Sequence, residues 1–243
     1  MSEIAAHELQ KDLDKLRKTP GEREHAFVVL RAFIRWAYHK HYIDQNPMER
    51  MKVPKHSVPR ERILTDAELK RVWVAVGDGT YGCIVKLLIL TGQRVGEVAN
   101  LSADMLKEST VTLPSWLTKN NREHTFPLGP TTKTLLSKSQ APSGLLFPAP
   151  GAPSKPFSAF SKNKLKLDKI SGVEEWTLHD LRRTFASGLA ALGISLPVIE
   201  RLLNHVSGSF GGIVGVYQRY DFMPEMRLAV EKWDGHVATI VRP

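Results

Sequence analysis

The sequence predicts a mainly α-helical fold with a small antiparallel β-sheet, an α+β arrangement in two domains, and three observations carry that prediction. Apolar residues recur at helical spacing over most of the chain. Short alternating segments replace that period only between Leu101 and Leu128. A proline-marked basic stretch before residue 60 separates a short first part from a long second one.

Glu3 to Lys18 place Ile4, Leu9, Leu13 and Leu16 on one helical face, Thr19-Pro20-Gly21 breaks the run, and Glu22 to Tyr42 form a second helix that Asn46-Pro47 closes. Pro54 and Pro59 then stand among Lys52, Lys55, His56 and Arg60, which reads as an extended cationic linker. A plain loop would hold the same prolines, and a linker crossing a DNA backbone would hold the same charges. The domains expected are 1–57, a helical pair with its linker, and 58–243.

Within the second domain, Thr65-Asp66-Ala67-Glu68 has the form of a capping box. The apolar run from Cys83 to Leu90 is a buried helix that stops at Thr91-Gly92, with Cys83 as a small buried hydrophobe. Val111-Thr112-Leu113 and His124 to Leu128 are short strands around the polar turn Lys119-Asn120-Asn121-Arg122. Leu145-Leu146-Phe147 and the Pro/Gly/Ser-rich stretch after it are expected to be loop. Helices resume near Phe157 and continue to about Val237, the last being a short amphipathic one over Pro224 to Trp233.

Composition narrows the function classes. The 243 residues carry 34 Lys and Arg against 25 Asp and Glu, a net charge of +9, so a polyanion is the expected partner, nucleic acid ahead of an anionic membrane. One cysteine excludes an intrachain disulfide framework and fits a reducing cytoplasm. No window approaches the roughly 18 apolar residues of a membrane span, and no basic segment precedes an apolar one at the N-terminus, so a cytoplasmic, nucleoid-associated bacterial protein with no membrane partner is expected.

The residues that carry chemistry are scattered. Arg94 stands three before Glu97, as a local ion pair would. Thr177 and Asp180 open a helix whose first turns set His179 and Arg182 together, where unpaired N–H groups, the helix dipole and a guanidinium fork suit an oxyanion. Ser195 to His205 form a helix delivering His205 at its end. Tyr217 and Tyr220 follow the Gly/Ser-rich residues 207–212. Each has an ordinary structural account alone. Together, two arginines, two histidines, a turn lysine and a late tyrosine are the charge clamps, proton carriers and oxygen nucleophile that phosphoryl transfer to a protein needs.

Leu90-Thr91-Gly92-Gln93-Arg94-Val95-Gly96-Glu97, Thr118-Lys119-Asn120-Asn121-Arg122, His179-Asp180-Leu181-Arg182-Arg183-Thr184, Leu203-Asn204-His205 and Val216-Tyr217-Gln218-Arg219, in that order and spacing, resemble the tyrosine recombinases, the phage integrase family, and within it the prophage and integrative-element branch. The likeness runs from about Ile63 to Val230. It implies a tyrosine recombinase catalytic domain preceded by a partial helical core-binding domain, and a site-specific recombinase that cuts and rejoins DNA to integrate or excise a mobile element. By the resemblance, Arg94, Arg182 and His205 hold the nonbridging oxygens of the scissile phosphate, Lys119 protonates the departing 5′ oxygen, His179 assists proton transfer, and Glu97 orients Arg94. Tyr217 attacks phosphorus to give a 3′-phosphotyrosyl link, ahead of Tyr220 as competing nucleophile. The resemblance implies no metal and no cofactor. It implies double-stranded DNA attachment sites as substrate and a homotetramer assembled on them by exchange of the C-terminal helix, with DNA-bending accessory proteins as further candidate partners. A type IB topoisomerase-like strand transferase and an inactive DNA-binding remnant are the alternatives; a zinc hydrolase on His179 and His205 lacks a third ligand at metal spacing.

Two departures from the family pattern matter. The gap between His205 and Tyr217 is longer than is common, which suggests a tyrosine segment ordered only on DNA. Residues 1 to about 57 match only the latter part of the helical core-binding domain, so the clamp around DNA is expected to be incomplete. Weaker DNA binding than that of a longer relative follows, and a gel shift at physiological salt checks it: sequence-specific binding in the nanomolar range by this chain would refute it.

Overall fold

The computed structural model describes residues 5–54, 61–138, 144–205 and 220–242. The chain divides into two compact units, Met1–Arg60 and Glu61–Pro243. In the first, α1 (Ala6–Lys15) and α2 (Pro20–His39) close around Leu13, Phe27, Ile34 and Met48. Pro20 sits in the first turn of α2, where its missing N–H costs nothing. The helix ends before the expected Tyr42 because His41 takes φ +59, and the N–H groups of Tyr42 and His41 return to the carbonyls of Ala37 (2.9 Å) and Tyr38 (3.0 Å). The linker residues Lys55, His56, Pro59 and Arg60 lie outside the described residues.

The second unit opens with α3 (Asp66–Ala75), whose capping box is formed as the sequence implied: Glu68 N–H donates to Thr65 Oγ1 and Thr65 N–H to the Glu68 carboxylate. Helix α4 (Thr80–Thr91) is buried along nearly its whole length and ends on Gly92 at φ +64. A Cβ there would stand 2.4 Å from Phe185 Cδ1, so backbone and space both require glycine. Cys83 is only partly buried, on the outer flank of α4's first turns, its thiol 3.7 Å from the Asp78 carbonyl. The short helix α5 (Val95–Ala99) follows.

An antiparallel sheet of β1 (Leu106–Lys107), β2 (Thr110–Leu113) and β3 (His124–Pro127) comes next, with Leu113 opposite His124 and Val111 opposite Phe126. After α6 (Pro130–Ser137), the stretch expected to be loop forms a two-stranded ribbon, β4 (Pro148–Ala149) with β5 (Ala152–Pro156), turning at Gly151 with φ +72. Prolines argue against a central strand, yet an isolated pair has outward edges where the missing N–H is harmless. Helices α7 (Phe160–Ser171), α8 (Leu178–Ala191), α9 (Leu196–Leu202) and α10 (Met223–Val241) follow among the described residues.

Helix α10 is longer than the amphipathic segment read from the sequence, and it packs on its own unit. Trp233 fills the space left at Gly188, where a Cβ would meet its ring at 2.1 Å, lies edge-on to Phe185 at 5.7 Å, and donates its indole N–H to the Ile89 carbonyl at 2.9 Å. Exchange of this helix between protomers therefore requires it to leave a filled seat. Trp233→Ala should cost about 3–5 kcal/mol through the cavity it leaves; urea unfolding followed by circular dichroism checks this, and a loss under about 1 kcal/mol would refute the anchoring role.

Candidate active site

Gly92 turns the chain out of α4 so that Arg94, in extended conformation, becomes the N-cap of α5. The buried Glu97 carboxylate accepts the Arg94 backbone N–H (3.1 Å) and its Nη1–H (2.9 Å). The pair is therefore more than a helix-surface ion pair: one carboxylate closes the helix start and fixes the guanidinium.

Arg182 is placed by the start of α8. Asp180, fully buried, accepts Thr177 N–H (2.7 Å), Thr177 Oγ1–H (3.0 Å) and Arg183 Nη1–H (2.7 Å). That cap sets His179 at the surface and carries Arg182 into the interior, 4% exposed. There the guanidinium donates Nη1–H to the Gly92 carbonyl at 2.9 Å and Nη2–H to the Leu203 carbonyl. Burial, then the nearby charge of Arg94, pushes its pKa down to about 10, which leaves it cationic at neutral pH.

The chain leaving α9 is held one carbonyl at a time. The Leu202 carbonyl accepts Gln93 Nε2–H (2.9 Å) and pairs with His124 Nε2 (3.1 Å). Leu203 serves Arg182, and the Asn204 carbonyl accepts Asn120 Nδ2–H at 3.2 Å. Asn204 itself takes φ +49, a conformation asparagine tolerates, and His205 N–H closes back on the Glu200 carbonyl at 2.9 Å. Lys119 stands exposed on the turn whose Thr118 Oγ1 donates to the Arg122 carbonyl (2.7 Å) and accepts Arg122 N–H (3.0 Å). The Asn120–Asn204 pair thus ties the lysine turn to the residue before His205.

Electrostatic influence runs among these groups. His205 is held below the ordinary histidine range by partial desolvation first, then by Arg182 and Arg94; His179, though at the surface, is lowered by partial desolvation, then by Arg183 and Arg182. His124, 6% exposed, is pushed down to about 4 by burial, with Arg182 and Arg94 adding to it. A cleft of about 420 Å³, lined among others by Arg122, His124, Asn204, His205 and Asp221, adjoins the site. Tyr220, half exposed, donates its hydroxyl toward the Glu225 carboxylate (3.0 and 3.1 Å), and this hydrogen bond raises its pKa.

The structure therefore brings Arg94, Glu97, His179, Arg182 and His205 into one electrostatic neighbourhood and fastens the Lys119 turn beside it. Tyr217, with the Gly/Ser-rich segment before it, lies outside the described residues. Gln93, Asn120, His124 and Asn204 are parts of the site that sequence reasoning missed. Only His124 left a signal, since strand alternation puts it on the face of buried Phe126.

This fold, a helical unit with a small antiparallel insert, is shared with solved integrases. A lambda integrase dimer bound to a COC' core site superposes with a TM-score of 0.69 at 21% identity, covering 91% of this chain and 66% of that one. A lambda integrase tetramer bound to a Holliday junction gives 0.69 at 20% identity, covering 89% and 68%. The model of the phage integrase family matches residues 62–220, and the chain belongs to that family. Among curated relatives, tyrosine recombinase XerC of Caldanaerobacter subterraneus subsp. tengcongensis is 27% identical over 204 residues, 77% of this chain and 56% of the relative. The integrase of Escherichia phage P2 is 27% identical over 164 residues, 68% of this chain and 45% of that protein. The chain thus spans about half the length of these two relatives.

The depressed histidines have a consequence for stability. An unfolded histidine binds its proton near pH 6.5, whereas folded His124 does so only near 4. In between, the unfolded chain holds a proton the folded chain lacks, so the contribution is complete above about pH 6.5 and is lost as pH falls toward 4, to the extent of about 3 kcal/mol. His179 and His205 act in the same direction. Urea unfolding at stepped pH should show this decline, and His124→Gln, which takes up no proton, should reduce it; a variant keeping the full decline would contradict the assignment.

Proposed function

We propose that this chain is a site-specific DNA recombinase that cuts and rejoins DNA by transesterification through Tyr217, in the integration or excision of a mobile element. The observation that carries the reading is the convergence of Arg94 and Arg182, from sequence positions 88 apart, on the carbonyl-held segment that ends in His205. A phosphodiester passing through a pentacoordinate transition state gains charge on its nonbridging oxygens, and fixed cations in a desolvated setting stabilise that charge most. Of the five N–H donors on Arg182, the carbonyls of Gly92 and Leu203 take two. The remainder, with Arg94 and His205, would hold those oxygens.

Tyr217 would attack phosphorus and release a 5′ hydroxyl, with Lys119 giving that oxygen its proton and His179 aiding proton transfer at the tyrosine. The phosphotyrosyl bond keeps the energy of the cleaved one, so rejoining needs no nucleotide cofactor. Tyr220 is the poorer nucleophile, since Glu225 engages its hydroxyl and disfavours the phenolate. Double-stranded attachment sites are the proposed substrate, and assembly as a tetramer on DNA is supported by the lambda integrase tetramer on a Holliday junction. The domain roles proposed are a partial core-binding domain over 1–57 and a catalytic domain over 58–243. No helix is long and apolar enough to cross a membrane among the described residues.

The test is incubation with nicked suicide duplexes bearing candidate attachment sequences, followed by a denaturing gel and peptide mapping. A covalent adduct on Tyr217, lost in Tyr217→Phe and kept in Tyr220→Phe, is expected. Arg182→Lys should form it about a hundredfold more slowly, because an ammonium cannot reproduce the planar fork. DNA binding with no adduct on any substrate would point to an inactive DNA-binding remnant.

A further inference from the structure

His124 is not among the residues by which the family was recognised, and its setting is odd for a packing residue. It lies on β3 beside Phe126, rings 5.4 Å apart and nearly parallel, in a buried position that a branched aliphatic residue would fill. Burying an imidazole there brings a desolvation cost, near two arginines that make a second positive charge worse. The ring's Nε2 meets the Leu202 carbonyl at 3.1 Å, and because a carbonyl only accepts, the proton sits on Nε2.

We propose that His124 is a positioning residue: a neutral donor that fixes the Leu202 carbonyl and thereby sets Arg182 and His205 toward the phosphate. Leu202 is one peptide from the carbonyl that Arg182 grips and three residues from His205. The intervening Asn204 is fastened to the turn of Lys119. Leu202 to His205 contains little slack, since Asn204 is in the left-handed region and His205 N–H is already committed to Glu200. Movement at the Leu202 carbonyl is therefore passed to Arg182 and His205, and to the turn that carries Lys119. The donor also has to be uncharged, because a lysine or arginine at this place would repel Arg94 and Arg182. A neutral histidine meets both demands, as an outer partner does when it orients a primary ligand.

The proposal rests on the recombinase reading for its activity arm, and two variants with two readouts separate the outcomes. His124→Phe keeps ring and volume but removes the donor; Gln93 continues to serve the Leu202 carbonyl, which limits collapse. His124→Gln restores a neutral N–H at about the same reach. In single-turnover cleavage of a nicked duplex, His124→Phe should form the covalent adduct at least about tenfold more slowly with its DNA Kd within about threefold of the parent, and His124→Gln should recover most of the rate. Equal rates for parent and His124→Phe, or a His124→Gln as slow as His124→Phe, would overturn the role. If the parent forms no adduct, the recombinase reading fails, and titration with inorganic phosphate followed by the His205 and His179 imidazole NMR signals decides the positioning role alone. Weaker phosphate binding in His124→Phe, restored in His124→Gln, supports it; the same affinity in all three proteins sinks it.

Discussion

The interior guanidinium of Arg182 is the constraint around which the second unit is arranged. A charge at 4% exposure needs compensation, and among the described residues Arg182 has no carboxylate partner; its guanidinium donates to the carbonyls of Gly92 and Leu203. Carbonyl dipoles satisfy N–H groups without cancelling charge, so the positive potential survives. Glu97, the acid nearest in effect, is occupied by Arg94. A carboxylate paired directly with Arg182 would have cancelled that charge and made a poor anion site.

Much of the surrounding structure follows from delivering those two carbonyls. Gly92 must be glycine, both for its φ of +64 and for the nearness of Phe185, and Phe185 lies one turn beyond Arg182 on α8. Trp233 from α10 presses on Phe185 and caps the end of α4 through Ile89. Leu203 is held on the other side by the donors that take Leu202 and Asn204. The elements α4, α8, α9, α10 and β3 thus meet at a polar centre as well as in an apolar core. Such a centre tolerates few substitutions, because removing one donor leaves a neighbouring acceptor unsatisfied.

Local features were the legible ones. The Thr65–Glu68 and Thr177–Asp180 caps are written within four residues, and the stop at Gly92 in one, so these helix ends could be read before any coordinates, whereas the burial of Arg182, expected on one face with His179, could not. The grouping of Arg94, Arg182 and His205 was legible only through the family motifs, since nothing in local spacing joins them. The partners that hold the group were not legible: Asn120 reaches Asn204 across 84 residues and His124 reaches Leu202 across 78. Side-chain to carbonyl bonds leave no periodicity behind them. The ribbon at Pro148–Pro156 escaped for the opposite reason, its prolines signalling loop where a two-stranded pair can accept them.

In the proposed reaction this arrangement divides the labour between fixed and movable charge. Arg182 remains cationic at neutral pH even though burial lowers it, whereas desolvation and the arginine charges keep His179 and His205 below their ordinary range. Desolvation and the guanidinium charges thus act against the protonated form of both histidines, and a bound anion would act in its favour. A phosphate held by Arg94 and Arg182 in the proposed reaction would offset their charge and so oppose the lowering of both imidazoles. The influence is Coulombic and short in range, and it is set by two arginines held in place by backbone carbonyls and one buried carboxylate.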